Sequence, residues 1–292
     1  MKAIKILYMG GFTTEEEMLW KDAIKNHIIN GFRELLIYAE SKKVDLGKLG
    51  GQVDLFKNKG SISNEDEEFL VAVWPLLQPV LKTSVLVTYE NLDYFVERLH
   101  EILQTDYIPS GNDILRARQR TAGFSRVQIE VNERDFLFID CGGQVAEREK
   151  WHIIAAESVS CLYLTALSNY DTPLHNDQSK TLLDESIEVW ADVVNSNDFR
   201  HCGLILLLNK SDVFTEKLKT GSFREKFPKF KGDETLERCA KYITKLFESK
   251  LPKNRQIYPH IICAVDTEMM RKIFVDISAH ICQSVLVKNG MM

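Results

Sequence analysis

Two stretches decide the fold of this chain: Asp135-Phe-Leu-Phe-Ile-Asp-Cys-Gly-Gly-Gln144 and Gly203-Leu-Ile-Leu-Leu-Leu-Asn-Lys-Ser-Asp212. Each begins with a short apolar run, which is the pattern of a buried β-strand, and the run then gives way to polar residues or glycine. The first stretch follows Arg126-Val-Gln-Ile-Glu-Val131, in which apolar and polar residues alternate. We therefore expect a β-hairpin with its turn at 132–133.

The rest of the C-terminal half alternates strand and helix. Further strands are predicted at 160–166 and 257–264, and helices at 178–194, 235–247 and 268–285. This order predicts an α/β domain with a mostly parallel sheet that helices cover on both faces. Ligands of such sheets bind at the carboxyl ends of the strands, which is where the two polar segments fall.

The N-terminal half, from Thr13 to about residue 106, has apolar residues at helical spacing. A hydroxyl cap at Thr13 or Thr14, followed by three glutamates, predicts a helix start. The glycines at 47, 50, 51 and 60 predict a loop. A second helix is expected to open at 64, and a third to span 91–103. This half is predicted to be all helical.

Composition excludes several classes of protein. The net charge of -5 and the pI near 5.9 provide no basic field, so a nucleic-acid partner is not expected. Six cysteines are scattered without metal-ligand spacing, as in a reduced cytosolic protein. No apolar run reaches transmembrane length, and Lys2 stands where a myristoylation signal requires glycine, so no membrane span or lipid anchor is predicted.

The two polar segments carry side chains suited to a nucleotide. Gly142 and Gly143 leave backbone N–H groups open to an anion, while Asn209 and Asp212 offer an amide and a carboxylate to the edge of a purine. Each segment alone is also typical of an ordinary turn after a strand. The phosphate-binding pattern G-x-x-x-x-G-K-[ST] does not occur in the sequence.

Taken together, four segments closely resemble the switch I, switch II and guanine-recognition segments of the alpha subunits of heterotrimeric G proteins. In chain order they are Arg-Ala-Arg-Gln-Arg-Thr-Ala-Gly at 116–123, Asp-Cys-Gly-Gly-Gln at 140–144, Asn-Lys-Ser-Asp at 209–212 and Cys-Ala at 263–264. The resemblance covers nearly the whole chain. It implies a Ras-like GTPase domain at 109–292, an inserted all-α domain at 13–108, and a remnant of the first GTPase-domain helix at 1–12.

The resemblance also implies a site for GTP or GDP with Mg²⁺. Gln144 would orient the attacking water, and Arg118 would stabilise charge on the transferring phosphoryl oxygens, which are the roles established for this family. Thr121 would bind Mg²⁺ directly, and Asp140 through a water. The full set of nucleotide-contacting residues would be Leu115, Arg116, Ala117, Arg118, Gln119, Arg120, Thr121, Asp140, Cys141, Gly142, Gly143, Gln144, Asn209, Lys210, Ser211, Asp212 and Ala264.

The chain departs from the family pattern at its start. In the family, a long helix, the first sheet strand and the phosphate loop precede the residues that resemble Lys5-Ile-Leu-Tyr-Met-Gly-Gly11. We therefore expect a truncated first helix, two unpaired edges in the sheet, and impaired GTP binding, since each lost charge-assisted hydrogen bond is worth about 1.5 to 3 kcal/mol. In the alternative interpretation, residues 3–9 form a strand that substitutes for the missing one.

The function implied is that of a GTP-hydrolysing switch that couples a membrane receptor to effectors. Its expected partners are the G-protein beta-gamma dimer, a G protein-coupled receptor at the tail 287–292, and an effector at switch II. Its expected location is the cytoplasmic face of the plasma membrane or the cytosol. The alternative is an interaction protein that keeps these surfaces without binding nucleotide.

Overall fold

The structure is a computed structural model of the chain, and it describes residues 1–83, 89, 91–118, 123–174, 177–221, 223–288 and 290. The chain divides into two compact units. One comprises Lys2–Arg120, and the other comprises Met1 with Thr121–Met292. The domain limits implied by the resemblance, at 12 and 108, stay a prediction.

The unit Lys2–Arg120 is helical in its described part, as the apolar spacing predicted. Short 3₁₀ turns at Gly47–Leu49 and Asn64–Asp66 precede two of its helices. The α-helices are α1 (Lys2–Tyr8), α2 (Thr14–Ser41), α3 (Gly50–Lys57), α4 (Glu67–Thr83), α5 (Leu92–Glu97), α6 (Leu99–Leu103) and α7 (Gly111–Arg116).

The long helix α2 begins where its capping signal placed it. The Thr13 hydroxyl accepts a hydrogen bond from the Glu16 N–H, and the Glu16 carboxylate accepts one from the Thr13 N–H, both at 3.2 Å. Further along, a Cβ at Gly31 would lie 2.9 Å from side-chain atoms of Leu92 and Tyr89. The helix therefore needs a glycine there to let α5 pack closely against it.

Three details of the helical half resolve or correct the sequence interpretation. Residues 2–8 are helical, so the helix interpretation of this segment is confirmed and the strand alternative is wrong. The predicted loop after 47 contains α3, because Val53 and Phe56 are only 2% exposed and their burial outweighs the glycines. The third predicted helix is divided into α5 and α6 at Arg98, whose φ of -108° departs from helical geometry.

The unit Thr121–Met292 contains the predicted strands and helices. Its strands are β1 (Phe124–Val131), β2 (Arg134–Cys141), β3 (Ser160–Ala166), β4 (Gly203–Asn209) and β5 (Ile257–Ile261). A 3₁₀ turn, Leu167–Tyr170, follows β3. Its α-helices are α8 (Val145–Arg148), α9 (Trp151–Glu157), α10 (Leu182–Asn195), α11 (Ser211–Thr220), α12 (Phe223–Lys226), α13 (Leu236–Glu248) and α14 (Thr267–Lys288).

The strands form two sheets. β1 and β2 make the expected antiparallel hairpin, turning at Asn132 and Glu133 with φ of 51° and 60°. β3, β4 and β5 form a parallel sheet in that order, and β5 ends at 261 rather than at the predicted 264. The sheet is thus mostly parallel as predicted, but the hairpin is separate from it. Within the described residues, β2 and β3 each have one edge with no strand beside it.

The core of this unit lies beside β4, whose residues 204–208 are at most 3% exposed. Trp190 of α10 is fully buried against Tyr163 and Phe247, and its indole N–H donates to the Phe247 carbonyl at 3.1 Å. This core fixes the carboxyl ends of β3 and β4. Across the described ranges of both units, no helix has the length and apolar content that crossing a bilayer requires.

Candidate functional site

The carboxyl end of β4 carries four of the predicted site residues. Asn209 is the last residue of the strand, and Lys210 follows in a left-handed conformation with φ of 61°. That sharp turn starts α11, whose first two residues are Ser211 and Asp212. The chain thus changes from strand to helix within one residue, which brings the polar side chains to the edge of the parallel sheet.

The predicted residues Asn209 and Ala264 meet at this edge. The Asn209 Oδ1 atom accepts a hydrogen bond from the Ala264 N–H at 3.0 Å, although 55 positions separate the two residues. A second link runs from the Ser211 N–H to the Ile262 carbonyl at 3.2 Å. The N-K-S-D segment and the Cys-Ala segment therefore form one rim, as expected for a purine site.

Burial shifts the pKa values of two side chains at this rim. Burial lowers the pKa of Lys210 to about 8, while Asp212 opposes that shift. The Asp212 side chain is exposed, so its carboxylate is accessible to a ligand. Burial also raises the pKa of the Cys263 thiol, and the neighbouring Asp212 adds to that effect. Among the described residues of this rim, Asp212 therefore carries an exposed carboxylate.

The second group of predicted residues follows β2. Asp140 and Cys141 end the strand, and burial raises the pKa of the Cys141 thiol. The Gly142 carbonyl accepts from the Trp151 indole N–H, and the Gly143 carbonyl from Arg148 Nε, both at 3.0 Å. These two hydrogen bonds orient the carbonyl groups of Gly142 and Gly143 towards Trp151 and Arg148.

Gln144 and its neighbours are on the surface. Gln144 is exposed at the start of α8, and its backbone carbonyl accepts from the Glu147 N–H at 2.8 Å. Gly143 is also exposed, and a Cβ there would meet nothing within 4 Å. The glycine at 143 is therefore not required by packing.

Of the switch I-like residues, Leu115 to Arg118 lie in the described part of the helical unit. Leu115 and Arg116 end α7, with the Arg116 guanidinium 4.4 Å from the centre of the Tyr94 ring. Ala117 is buried, and the Arg118 side chain is exposed. The remaining predicted residues of this segment, Gln119, Arg120 and Thr121, lie outside the described residues.

A metal site is only partly represented. In the ranges that the structure describes, no three His, Cys, Asp or Glu side chains come together to hold a metal ion. Asp140 supplies a hard carboxylate oxygen, the donor type that Mg²⁺ prefers, and the Thr121 hydroxyl would be of the same type. Of the two predicted metal-binding residues, Asp140 therefore lies within the described residues and Thr121 lies outside them.

The hydrogen bonds and the ion pair that anchor α7 through Asp113 were not predicted from the sequence. Asp113 is fully buried, accepts from the Tyr94 hydroxyl at 2.8 Å, and pairs with Arg98. It also closes a capping box with Ser110. The Ser-x-x-Asp spacing was a signal that could have identified the cap. The roles of Arg148 and Trp151 beside the glycine pair had no comparable signal in the sequence.

Comparison with known proteins agrees with the geometry. The family model of the G-protein alpha subunit matches residues 1–281. The guanine nucleotide-binding protein alpha-2 subunit of Dictyostelium discoideum is 30% identical over 315 residues, covering 99% of this chain and 86% of that protein. The alpha-8 subunit of Caenorhabditis elegans is 30% identical, with 100% and 85% covered. The alpha-2 subunit of Schizosaccharomyces pombe is 31% identical, with 99% and 85% covered.

Proposed function

The chain belongs to the G-protein alpha subunit family, and from that premise we propose that it is a GTP-hydrolysing switch that couples a membrane receptor to effectors. The observation that carries the proposal is the hydrogen bond between Asn209 and the Ala264 N–H. It joins two segments distant in sequence into one rim at the carboxyl ends of parallel strands. The exposed carboxylate of Asp212, next to this rim in sequence, supports recognition of a guanine base.

In the proposed site, Asp212 accepts hydrogen bonds from the guanine N1–H and 2-amino group. Adenine does not present that pair of donors, so the exposed carboxylate selects guanine over adenine. The stem of Lys210 lies along the base, and Asn209 fixes the loop that carries Ala264. Gly142 and Gly143 bring backbone N–H groups towards phosphate oxygens.

Hydrolysis is proposed to use Gln144 to orient water and Arg118 to stabilise developing negative charge. Mg²⁺, when bound by Thr121 and through water by Asp140, would neutralise charge on the phosphates. Gln144 is exposed and free of core packing, which suits a residue that must move with a ligand. These roles are the family's own and are proposed for the matching positions of this chain.

The partners are proposed on the same basis. Val145 is 71% exposed in α8 and Ile153 is 47% exposed in α9, so the two helices that follow the switch II-like segment would present apolar side chains to an effector or to the beta-gamma dimer. The receptor would contact the tail 287–292, of which residues 289, 291 and 292 lie outside the described residues. Such partners place the protein at the cytoplasmic face of the plasma membrane or in the cytosol.

Guanine recognition is tested by titrating the purified chain with fluorescent GDP. Asp212→Asn should weaken GDP binding by about 1.5 to 3 kcal/mol, or roughly ten- to a hundredfold, because a charged acceptor is lost. Asp192→Asn, on the exposed side of α10, is the matched control and should bind as the parent does. No GDP binding by the parent, or equal competition by ADP, would overturn the proposal.

Hydrolysis is tested separately by single-turnover release of phosphate. Gln144→Leu and Arg118→Ala should each lower the rate by orders of magnitude while GDP binding persists. Gln128→Leu removes an exposed glutamine from β1 and serves as the control. A parent that binds partner proteins but neither binds nor hydrolyses GTP would instead support the interaction-protein alternative.

A further inference from the structure

Strand β1 has an outward edge that no strand of the described residues covers, since β1 pairs there with β2 alone. In a hairpin with a two-residue turn, the residues that flank the turn, here Val131 and Arg134, exchange hydrogen bonds. The backbone groups of alternate residues therefore point away from β2. We call this row the β1 edge and define it by Phe124, Arg126, Gln128 and Glu130.

The β1 edge carries polar side chains on its exposed face. Arg126, Gln128 and Glu130 are exposed, whereas the residues between them, Val127 and Ile129, are only 7% and 3% exposed. A strand that pairs with this edge places its own side chains opposite the exposed three. On that face, charge and hydrogen bonding therefore decide which strand can pair.

The charges of this row are arranged symmetrically about Gln128. Arg126 lies two residues before Gln128, and Glu130 lies two residues after it. Charged side chains usually protect a sheet edge from pairing, because a second strand of the same kind brings like charges opposite. Antiparallel pairing of two copies centred on Gln128 instead places each Arg126 opposite Glu130 of the other copy. The β1 edge is thus complementary in charge to a second copy of itself.

Both charged side chains have capacity for a further partner. Glu130 lies opposite Asp135 in the hairpin, and it makes no ion pair with any described residue. Arg126 donates through Nη2 to Glu157 at 2.7 Å, while its Nε and Nη1 groups bond to no described residue. An arginine from a second copy beside Glu130 would offset the repulsion between Glu130 and Asp135.

We propose that two copies of this chain associate by antiparallel pairing of their β1 edges, with a two-fold axis at Gln128. The contact is isologous, because the same residues contribute from both copies. The backbone groups of Arg126, Gln128 and Glu130 supply about six hydrogen bonds across the axis, which joins the two hairpins into one sheet. This surface differs from the nucleotide rim, and the proposal does not depend on nucleotide binding.

The first measurement is the mass of the purified full chain as a function of concentration. A contact between two strands is smaller than a standard protein interface, so the dimer should be weak and in exchange with the monomer. Sedimentation velocity from about 5 to about 500 µM should show a rise from one chain of 33.6 kDa towards two.

Charge reversal tests both the edge and its register. Arg126→Glu alone and Glu130→Arg alone each place like charges opposite one another, so each should weaken association at least about tenfold. An equimolar mixture of the two variants should associate as the parent does, because every facing pair is again opposite in sign. The double variant should also associate. Glu237→Arg, exposed on α13, makes the same change in net charge as Glu130→Arg and should leave association unchanged.

The backbone part of the contact is tested at Gln128. The N–H of Gln128 points away from β2, so Gln128→Pro removes no hydrogen bond of the hairpin but removes those that this N–H donates across the axis. Gln128→Pro should weaken association at least about tenfold, whereas Gln128→Ala, which keeps the N–H, should weaken it less. Circular dichroism and the thermal midpoint of each variant establish that it is folded.

Three results would overturn the proposal. A parent chain that stays monomeric at every concentration would leave the β1 edge to a strand of a different protein. Association that both single charge variants retain would assign the dimer to another surface. A mixture of the two single variants that stays monomeric, while each variant is folded, would exclude the antiparallel register centred on Gln128.

Discussion

Acidification should destabilise the helical unit through one buried histidine. His27 in α2 is 5% exposed, its ring lies 5.2 Å from that of Tyr89 and 5.4 Å from that of Phe95, and its Nε2 atom has no hydrogen-bond partner. Burial, with smaller effects of Lys2 and Arg118, lowers the pKa of His27 from 6.5 to about 4.

The sign and size follow from proton linkage. Between pH 6.5 and 4 the unfolded chain binds a proton at this site that the folded chain excludes, so stability falls as the pH falls through that window. The limiting loss is about 3.4 kcal/mol, of which about 2 kcal/mol is reached between pH 7 and pH 5. Above about pH 7.5 the site adds almost no pH dependence, because neither the folded nor the unfolded chain then binds the proton.

The assay is urea unfolding of the full chain at pH 7 and pH 5, with hydrogen exchange of α2 to report on the helical unit. His27→Phe keeps a ring between the two aromatic side chains and should remove about 2 kcal/mol of the difference between the two pH values. His100→Gln replaces an exposed histidine of the same unit and should leave that difference as in the parent. Equal pH dependence of the parent and His27→Phe, or an NMR titration of His27 near 6.5, would refute the reasoning.

Two further changes test packing. Asp113→Asn removes the buried partner of Arg98 and should lower the free energy of unfolding by about 1 to 3 kcal/mol in a urea titration. Glu101→Gln, at an exposed partner of Arg98, should lower the free energy of unfolding by less than about 1 kcal/mol. Equal losses for Asp113→Asn and Glu101→Gln would contradict this prediction. Trp190→Phe loses the hydrogen bond to the Phe247 carbonyl and leaves part of the core volume empty. Thermal unfolding should therefore show a free energy of unfolding that is lower by about 1 to 3 kcal/mol. An unchanged unfolding midpoint would contradict this prediction.

The strand ends and their polar residues could be predicted because apolar runs followed by polar segments are local signals. The meeting of Asn209 with Ala264 followed from the parallel sheet, since its strands deliver their carboxyl ends to one edge. The left-handed turn at Lys210 had no local signal, because lysine does not favour that conformation. Helix α3 was missed because burial of Phe56 depends on tertiary packing that glycine content does not report.

The two halves of the candidate site extend from strands that are paired to different extents, and hydrogen exchange can measure this difference. The rim at Asn209 extends from β4, which pairs with a strand on each side and has residues 204–208 buried. The segment ending at Gln144 extends from β2, which among the described residues pairs with β1 alone and exposes Leu137. Local opening requires fewer contacts to break in β2. Hydrogen exchange should therefore be faster in 134–141 than in 203–209 in the isolated chain.

The same hydrogen-exchange measurement distinguishes the effect of strand pairing from the effect of strand sequence. Both are apolar, so intrinsic preference alone predicts similar protection, whereas pairing on one side predicts weaker protection for β2. Amides of β1 that bond to β2 provide an internal reference for the hairpin itself. If 134–141 were as protected as 203–209 in a monomer, β2 would have a second pairing partner and this reasoning would be wrong. If only 134–141 exchanges quickly, the rim at Asn209 forms on a rigid sheet, whereas the segment ending at Gln144 can gain order when a ligand or partner binds beside it.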